Sequence, residues 1–104
     1  MSQDAYLFKA LGDSTRLKIL KMLTDNQKNA CQIADQFKLH QPTISYHLKI
    51  LQESRLVHVK HSGKWKYYSL NPVTLCRALS LLDDLAAGNV MTTFNQTKKD
   101  CDRA

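Results

Sequence analysis

Residues 37–51 decide the fold: Phe37-Lys38-Leu39-His40-Gln41-Pro42-Thr43-Ile44-Ser45-Tyr46-His47-Leu48-Lys49-Ile50-Leu51. They read as the turn and second helix of a helix-turn-helix. Pro42 suits the first turn of a helix, where its missing N–H costs nothing. Ile44, Leu48 and Leu51 recur at helical spacing and make one apolar stripe. Between them lie Gln41, Thr43, Ser45, Tyr46 and Lys49, side chains that bond or carry charge and have no place in a core. A helix that buries one face and offers such groups on the other fits the DNA major groove.

The charge pattern points the same way. The chain has 15 Lys and Arg against 9 Asp and Glu, a net of +6. Between Lys38 and Lys66 stand six basic residues (Lys38, Lys49, Arg55, Lys60, Lys64, Lys66) and one acid, Glu53, so that stretch holds five of the six net charges. All four histidines (His40, His47, His58, His61) fall there too. A basic face is common and often only solvated. One that coincides with a reading helix is the footprint of phosphate binding.

Length and composition bound the rest. A chain of 104 residues, 43% hydrophobic, is expected to be a single domain with a modest core. Domains this small bury a smaller share of their surface, and a partner subunit often completes the core. No apolar run reaches the length of a membrane span, and Met1-Ser2-Gln3-Asp4 does not begin a secretory signal. Three widely spaced cysteines, Cys31, Cys76 and Cys101, argue against a disulfide framework and for a reducing cytoplasm.

Along the chain, Asp4–Leu11 reads as a short helix with Ala5, Leu7, Phe8 and Leu11 apolar, ended by Gly12. Asp13 is placed to cap a second helix, Ser14–Leu23, with Leu17, Ile19, Leu20 and Leu23 inward. Asp25 to Lys28 is a polar turn. Asn29 is placed to cap a third helix, Ala30–Phe37, with Ile33, Ala34 and Phe37 inward. Lys38-Leu39 makes the tight turn, with His40 in the N-cap position of a fourth helix, residues 41–54. The period then changes to two. Leu56–His61 and Lys64–Leu70 read as strands joined by Ser62-Gly63, a β-hairpin with basic residues about its tip. Asn71-Pro72 leads into a last helix, Val73–Ala87, with Leu75, Ala78, Leu79, Leu82, Leu85 and Ala86, stopped by Gly88-Asn89. Residues 90–104 are polar.

The expected fold is therefore mainly α with a β-hairpin: a winged helix-turn-helix of five helices and a two-stranded wing. Its reading unit covers about 29–70, the helices at about 4–11 and 73–87 flank it, and 90–104 form a tail. Over residues 5–88 the chain resembles the ArsR/SmtB family of bacterial transcriptional repressors. Three blocks carry the resemblance: Leu7-Phe8-Lys9-Ala10-Leu11-Gly12-Asp13-Ser14-Thr15-Arg16-Leu17-Lys18-Ile19-Leu20, the segment Gln41 to Leu51, and Gly63 with Tyr67-Tyr68-Ser69-Leu70.

The resemblance implies a homodimer in which the first and last helices pack against their symmetry mates. A two-fold dimer sets two reading helices about 34–36 Å apart on an inverted-repeat operator in double-stranded DNA. It also implies that Gln41, Thr43, Ser45 and Tyr46 face the groove. Gln can bond adenine twice, and Ser or Thr can bond several base edges. Lys49 is assigned to phosphate, and Lys60, Lys64 and Lys66 of the wing to phosphate or minor groove. Tyr46 has a second reading as a ring packed on a neighbouring helix. His47, beside the apolar stripe, is read as structural rather than as a contact, and Trp65 as hairpin packing.

Many members of the family release DNA when a metal or metalloid binds. One family site uses two cysteines one residue apart in the third helix, where this chain has Asn29 and Cys31. Another uses Asp, His, His and Glu along the last helix, where it has Pro72, Thr74, Leu85 and Gly88. Neither set is complete. Cys31 and Cys76 then have three readings: buried packing residues, thiolate ligands for a soft metal or metalloid from one or both subunits, or a thiol switch closing a reversible disulfide or persulfide. Cys101, in the polar tail, is expected to be exposed.

Other classes are weighed on the same residues. An enzyme is disfavoured: there is no Gly-rich phosphate loop and no nucleophile motif. The only adjacent carboxylates, Asp83-Asp84, do not face each other on a helix and read as solvent-exposed. A winged helix specialised for protein interaction, a regulator with no small-molecule effector, and a sequence-neutral DNA-packing protein remain as alternatives.

Overall fold

A computed structural model describes residues 2–38 and 40–87, with the side chain of Gln41 excepted. It divides into two compact units, one ending at Leu70 and one beginning at Asn71. Five helices are described: α1 (Gln3–Leu11), α2 (Ser14–Met22), α3 (Ala30–Phe37), α4 (Gln41–Glu53) and α5 (Pro72–Ala86). Three strands accompany them: β1 (Lys28–Asn29), β2 (Val57–Ser62) and β3 (Trp65–Leu70).

Local chemistry sets the helix ends of the first unit. The Ser2 hydroxyl accepts from the Ala5 N–H and starts α1. Gly12 ends it, its N–H bonding the Lys9 carbonyl. Asp13 Oδ2 accepts from the Arg16 N–H at 3.0 Å and caps α2, as the sequence predicts. Asn29 and Gln32 bond each other's backbone N–H groups, both at 2.9 Å, in a reciprocal capping box that opens α3. His40 occupies the N-cap of α4 but makes no side-chain cap. Its carbonyl accepts from Thr43 and Ile44 instead.

α4 ends in a tight reversal. The Leu56 N–H reaches back to the Leu51 carbonyl, and Arg55 between them takes φ 64°. This is the left-handed cap that glycine most often fills.

The core of this unit is aliphatic. Leu7, Ala10, Ile19, Leu20, Leu23, Ile33, Ile44, Leu48, Leu51, Leu56 and Val57 are all buried. Ile44, Leu48 and Leu51 carry one side of α4 into it, where α4 packs against α2, α3 and β2. Each such side chain contributes about 1.5–3 kcal/mol relative to exposure.

Four expectations are corrected. The wing is not a two-stranded sheet. Lys28 and Asn29 pair antiparallel with Tyr68 and Tyr67, giving a three-stranded sheet in the order β1-β3-β2. Two residues are too few to show a period in the sequence. Leu17 is not inward: it is 47% exposed, because Ile19, Leu20 and Leu23 already fill the buried side of α2. Cys31 is exposed and is not joined in a disulfide, so it is not a packing residue, whereas Cys76, half-buried on α5, is disulfide-bonded, against the expectation from cysteine spacing. Asp83 is buried while its neighbour Asp84 is exposed. Consecutive helical residues lie about 100° apart, so one can face inward while the next does not.

α5 opens with Pro72 in its first turn, capped by the Asn71 side chain on the Val73 N–H. It buries Ala78 and leaves Val73, Leu82 and Leu85 exposed. The expected stop at Gly88-Asn89, the tail and Cys101 lie outside the described residues.

Asp13 joins helix capping to pH. The Arg16 N–H on its carboxylate holds its pKa below the usual aspartate value against the opposing effect of burial, and the charges of Arg16 and His47 add to the lowering. A folded-state value below the unfolded one makes the contribution complete above the unfolded pKa, near 4, and lost as pH falls through the folded value. Asp13→Ala is expected to cost about 1 kcal/mol at pH 7. That cost should shrink as melts are run from pH 5 towards pH 2, whereas Asp13→Asn, which keeps the cap, should lose much less at neutral pH.

Candidate nucleic-acid interface

Thr43, Ser45, Tyr46 and Lys49 are all exposed, on the side of α4 away from its buried stripe. The arrangement follows from helix geometry. Once Ile44, Leu48 and Leu51 are committed to the core, Thr43, Ser45, Tyr46 and Lys49 fall on the opposite side of the helix. Tyr46 is 60% exposed and meets the His47 ring edge-on, with centroids 5.4 Å apart. Its alternative reading, a ring packed on another helix, is not what the structure shows.

Lys60, Lys64 and Lys66 are likewise exposed on the wing. Gly63 turns the hairpin with φ 61°. The pairing His61–Lys66 and Ser62–Trp65 sets the register of its tip. Trp65 does not serve hairpin packing alone. It remains 44% exposed, with the Lys64 ammonium 5.8 Å from its ring centroid.

Reading helix and wing meet. An open pocket of about 240 Å³ is lined by Asn29, Ala30, Cys31, Ser45, Trp65, Lys66 and Tyr68. Ser45 of α4 and Lys66 of β3, far apart in sequence, therefore share one concave surface, with Cys31 of α3 on its wall. Sequence reasoning assigned Ser45 and Lys66 to DNA and Cys31 to sensing separately. Their shared surface depends on the three-stranded pairing, which no local signal reveals.

Behind the helix lies a polar network. Arg16 is 9% exposed. Its Nε donates to the Ala10 carbonyl at 2.8 Å, its Nη2 to the Lys9 carbonyl at 3.3 Å, and its Nη1 approaches His47 Nδ1 at 3.2 Å. A guanidinium has no lone pair to offer. The contact is a hydrogen bond in the tautomer whose Nδ1 is unprotonated and accepts from Nη1. Asp13 Oδ2 stands 3.9 Å from the same Nδ1, too far for a hydrogen bond, and acts on the ring as a nearby charge. The expectation that His47 is structural fits this contact. Arg16 was missed: a lone arginine among apolar residues looks like a solvated charge until its partners are seen.

Tyr6 of α1 also lies within electrostatic reach of the Glu53 carboxylate at the far end of α4. Burial raises the Tyr6 pKa above the usual tyrosine value, and the Glu53 charge raises it further. Among the described residues, no three His, Cys, Asp or Glu side chains converge to hold a metal, and no helix is long and apolar enough to cross a membrane.

Comparison with known proteins agrees with this geometry. Residues 13–59 match the family described as bacterial regulatory proteins, arsR family. An uncharacterized HTH-type transcriptional regulator from Methanocaldococcus jannaschii is 42% identical over 82 residues, covering 78% of this chain and 92% of the relative. The arsenical resistance operon repressor of Staphylococcus aureus is 35% identical over 91 residues, covering 86% of this chain and 81% of the relative. Among solved structures, a homodimeric winged helix-turn-helix DNA-binding domain from Mycobacterium bovis superposes with a TM-score of 0.67 at 27% identity. It covers 85% of this chain and 82% of that one.

Two outcomes follow from the geometry. Because the Tyr6 pKa is raised, its contribution to stability is complete below pH about 10 and lost as pH rises through the folded value. Tyr6→Phe should therefore flatten the alkaline limb of the stability curve, read by melts from pH 8 to pH 12. Replacing Lys60, Lys64 or Lys66 by Ala should each reduce the slope of log affinity against log salt by about 1, if each neutralises one phosphate. Titration of a labelled duplex at several salt concentrations measures it.

Proposed function

We infer that this chain, which belongs to the arsR family of bacterial regulatory proteins, is a homodimeric transcriptional repressor that reads an inverted-repeat operator. It is a regulator and not an enzyme. The single observation that carries the reading is the alignment of exposed Thr43, Ser45, Tyr46 and Lys49 on the outer side of α4, beside a wing carrying Lys60, Lys64 and Lys66. Gln41 is assigned with them by its position at the start of the same helix. Thr43, Ser45 and Gln41 read base edges in this proposal, while Lys49 and the wing lysines meet phosphate. Dimerisation is assigned to α1 and α5. The exposed Val73, Leu82 and Leu85 of α5 support it, as does the homodimeric relative. Repression follows from occupancy of promoter DNA, the action named for the Staphylococcus aureus relative.

The signal that relieves repression is assigned to Cys31. Its exposed thiol lies in the pocket that Ser45 and Lys66 also line, so a group attached there would stand in the way of DNA. Within one chain the residues present do not make a family metal site. Asn29 stands in place of the first cysteine of the third-helix pair, and Pro72, Thr74 and Leu85 hold no ligating side chains in the last helix. Cys76 is disulfide-bonded and offers no second free thiol, so Cys31 carries the proposed signal by itself.

The test is binding of the reduced protein to its own promoter duplex and to a scrambled duplex, across salt concentrations, with arsenite, zinc, cadmium, copper(I) or a persulfide donor added in turn. Promoter-selective binding that falls with salt and is lost with one addition is expected. Cys31→Ser should keep the binding and abolish the loss. Sedimentation should give a dimer. Equal affinity for both duplexes would identify a sequence-neutral packing protein, and weak salt-insensitive binding a protein-interaction module.

A further inference from the structure

We propose that Trp65 is a DNA contact, its ring forming one wall of a seat between reading helix and wing that takes the sugar–phosphate backbone of one strand. The contact rests on the DNA-reading function proposed above and adds to it a residue that the sequence assigns to hairpin packing.

The shape of the target places the seat. Major groove, backbone and minor groove follow one another around a duplex. A protein that lays α4 in the major groove and sets a wing beside it brings the surface joining them onto the strand that separates the two grooves. In this chain that surface is the open pocket of about 240 Å³, with Ser45 of α4 on one side and Trp65, Lys66 and Tyr68 of β3 on the other. A cavity of about 150 Å³ already holds a benzene ring, so a deoxyribose ring fits.

Hairpin packing does not account for Trp65. Its cross-strand partner is Ser62, a side chain too short to cover an indole. Trp65 stays 44% exposed, although a tryptophan can bury about 150–250 Å². One exposed apolar residue is ordinary on a protein surface. The neighbours of this one are not. Lys64 holds its ammonium 5.8 Å from the ring centroid. Lys66 follows in β3, exposed and on the pocket wall. An aromatic face flanked by two cations matches a chain in which apolar sugar faces alternate with anionic phosphates. The ring packs on a sugar, while the indole N–H and the two ammonium groups donate to phosphate oxygens.

Salt separates these contributions. A lysine on a phosphate releases a counterion, so its share of the affinity falls as salt rises. An indole on a sugar releases none, and its share is the same at every salt concentration.

Trp65 is the single tryptophan of the chain, so its emission reports this ring alone. The probe is a duplex selected from a random-sequence pool by the unaltered protein. Emission and its quenching by acrylamide are followed as unlabelled duplex is added. Binding of a labelled copy by the unaltered protein, Trp65→Ala, Trp65→Phe and Lys66→Ala is titrated across salt concentrations, and the thermal midpoint of each protein is measured. Saturating duplex should shift the emission and shield the ring from acrylamide. Trp65→Ala should weaken binding by about tenfold, within the range for aromatic side chains stacked on nucleotides, with the slope of log affinity against log salt unchanged. Trp65→Phe, which keeps a ring, should recover most of the loss, and Lys66→Ala should reduce the slope by about 1.

Emission and quenching unmoved by saturating duplex would overturn the contact whether or not the variants fold. Undiminished affinity of Trp65→Ala at an unchanged thermal midpoint would do the same. So would a slope reduced in Trp65→Ala as in Lys66→Ala, since the ring would then act only through the lysines beside it. Selection of no sequence by the unaltered protein would overturn the DNA reading itself, and the seat with it.

Discussion

The burial of one side of α4 is the constraint on which the rest of the structure depends. Ile44, Leu48 and Leu51 are each almost fully removed from solvent. Their commitment divides the helix into an inner side that the core determines and an outer side free for chemistry. α2, α3 and β2 close around the inner side, and the caps at Asp13 and Asn29 start two of these helices where they can pack. Truncating any of the three would cost about 2–5 kcal/mol, a large share of the stability of a domain this small.

Polar interactions then refine what hydrophobic packing leaves loose. The network around Arg16 makes this visible. A buried guanidinium is tolerated only when its donors are satisfied, and here two backbone carbonyls and one imidazole nitrogen satisfy them. The cost of burying the charge is offset by contacts that a hydrophobic residue of the same size could not make. What such a residue would lose is direction, not adhesion. A surface that must present hydrogen-bonding groups at defined angles needs that direction more than a core does.

Charge and shape divide the remaining work. The wing lysines project from a three-stranded sheet rather than from a free hairpin. β1 belongs to the segment that opens α3, so the sheet connects the wing to the helix-turn-helix through the backbone. The pocket shared by Ser45, Lys66 and Cys31 is a product of that connection. It places the exposed Cys31 side chain within the surface that the proposed function assigns to DNA.

Much of this was legible in the sequence, because the signals were local. Helical spacing in 37–51, the capping residues Asp13 and Asn29, the switch to a period of two after Leu56 and the turn at Gly63 each act over a few residues, and each appears in the structure within a residue or two. The outward placement of Thr43, Ser45, Tyr46 and Lys49 was legible for the same reason, since the stripe fixes its complement. Tertiary structure alone decided what depends on distant pairing: the third strand at Lys28–Asn29, the exposure of Leu17 and Cys31, the burial of Asp83, and the role of Arg16. A sequence states which groups a residue carries. Which partner those groups meet is decided only when segments thirty residues apart are brought together, as Arg16 and His47 are.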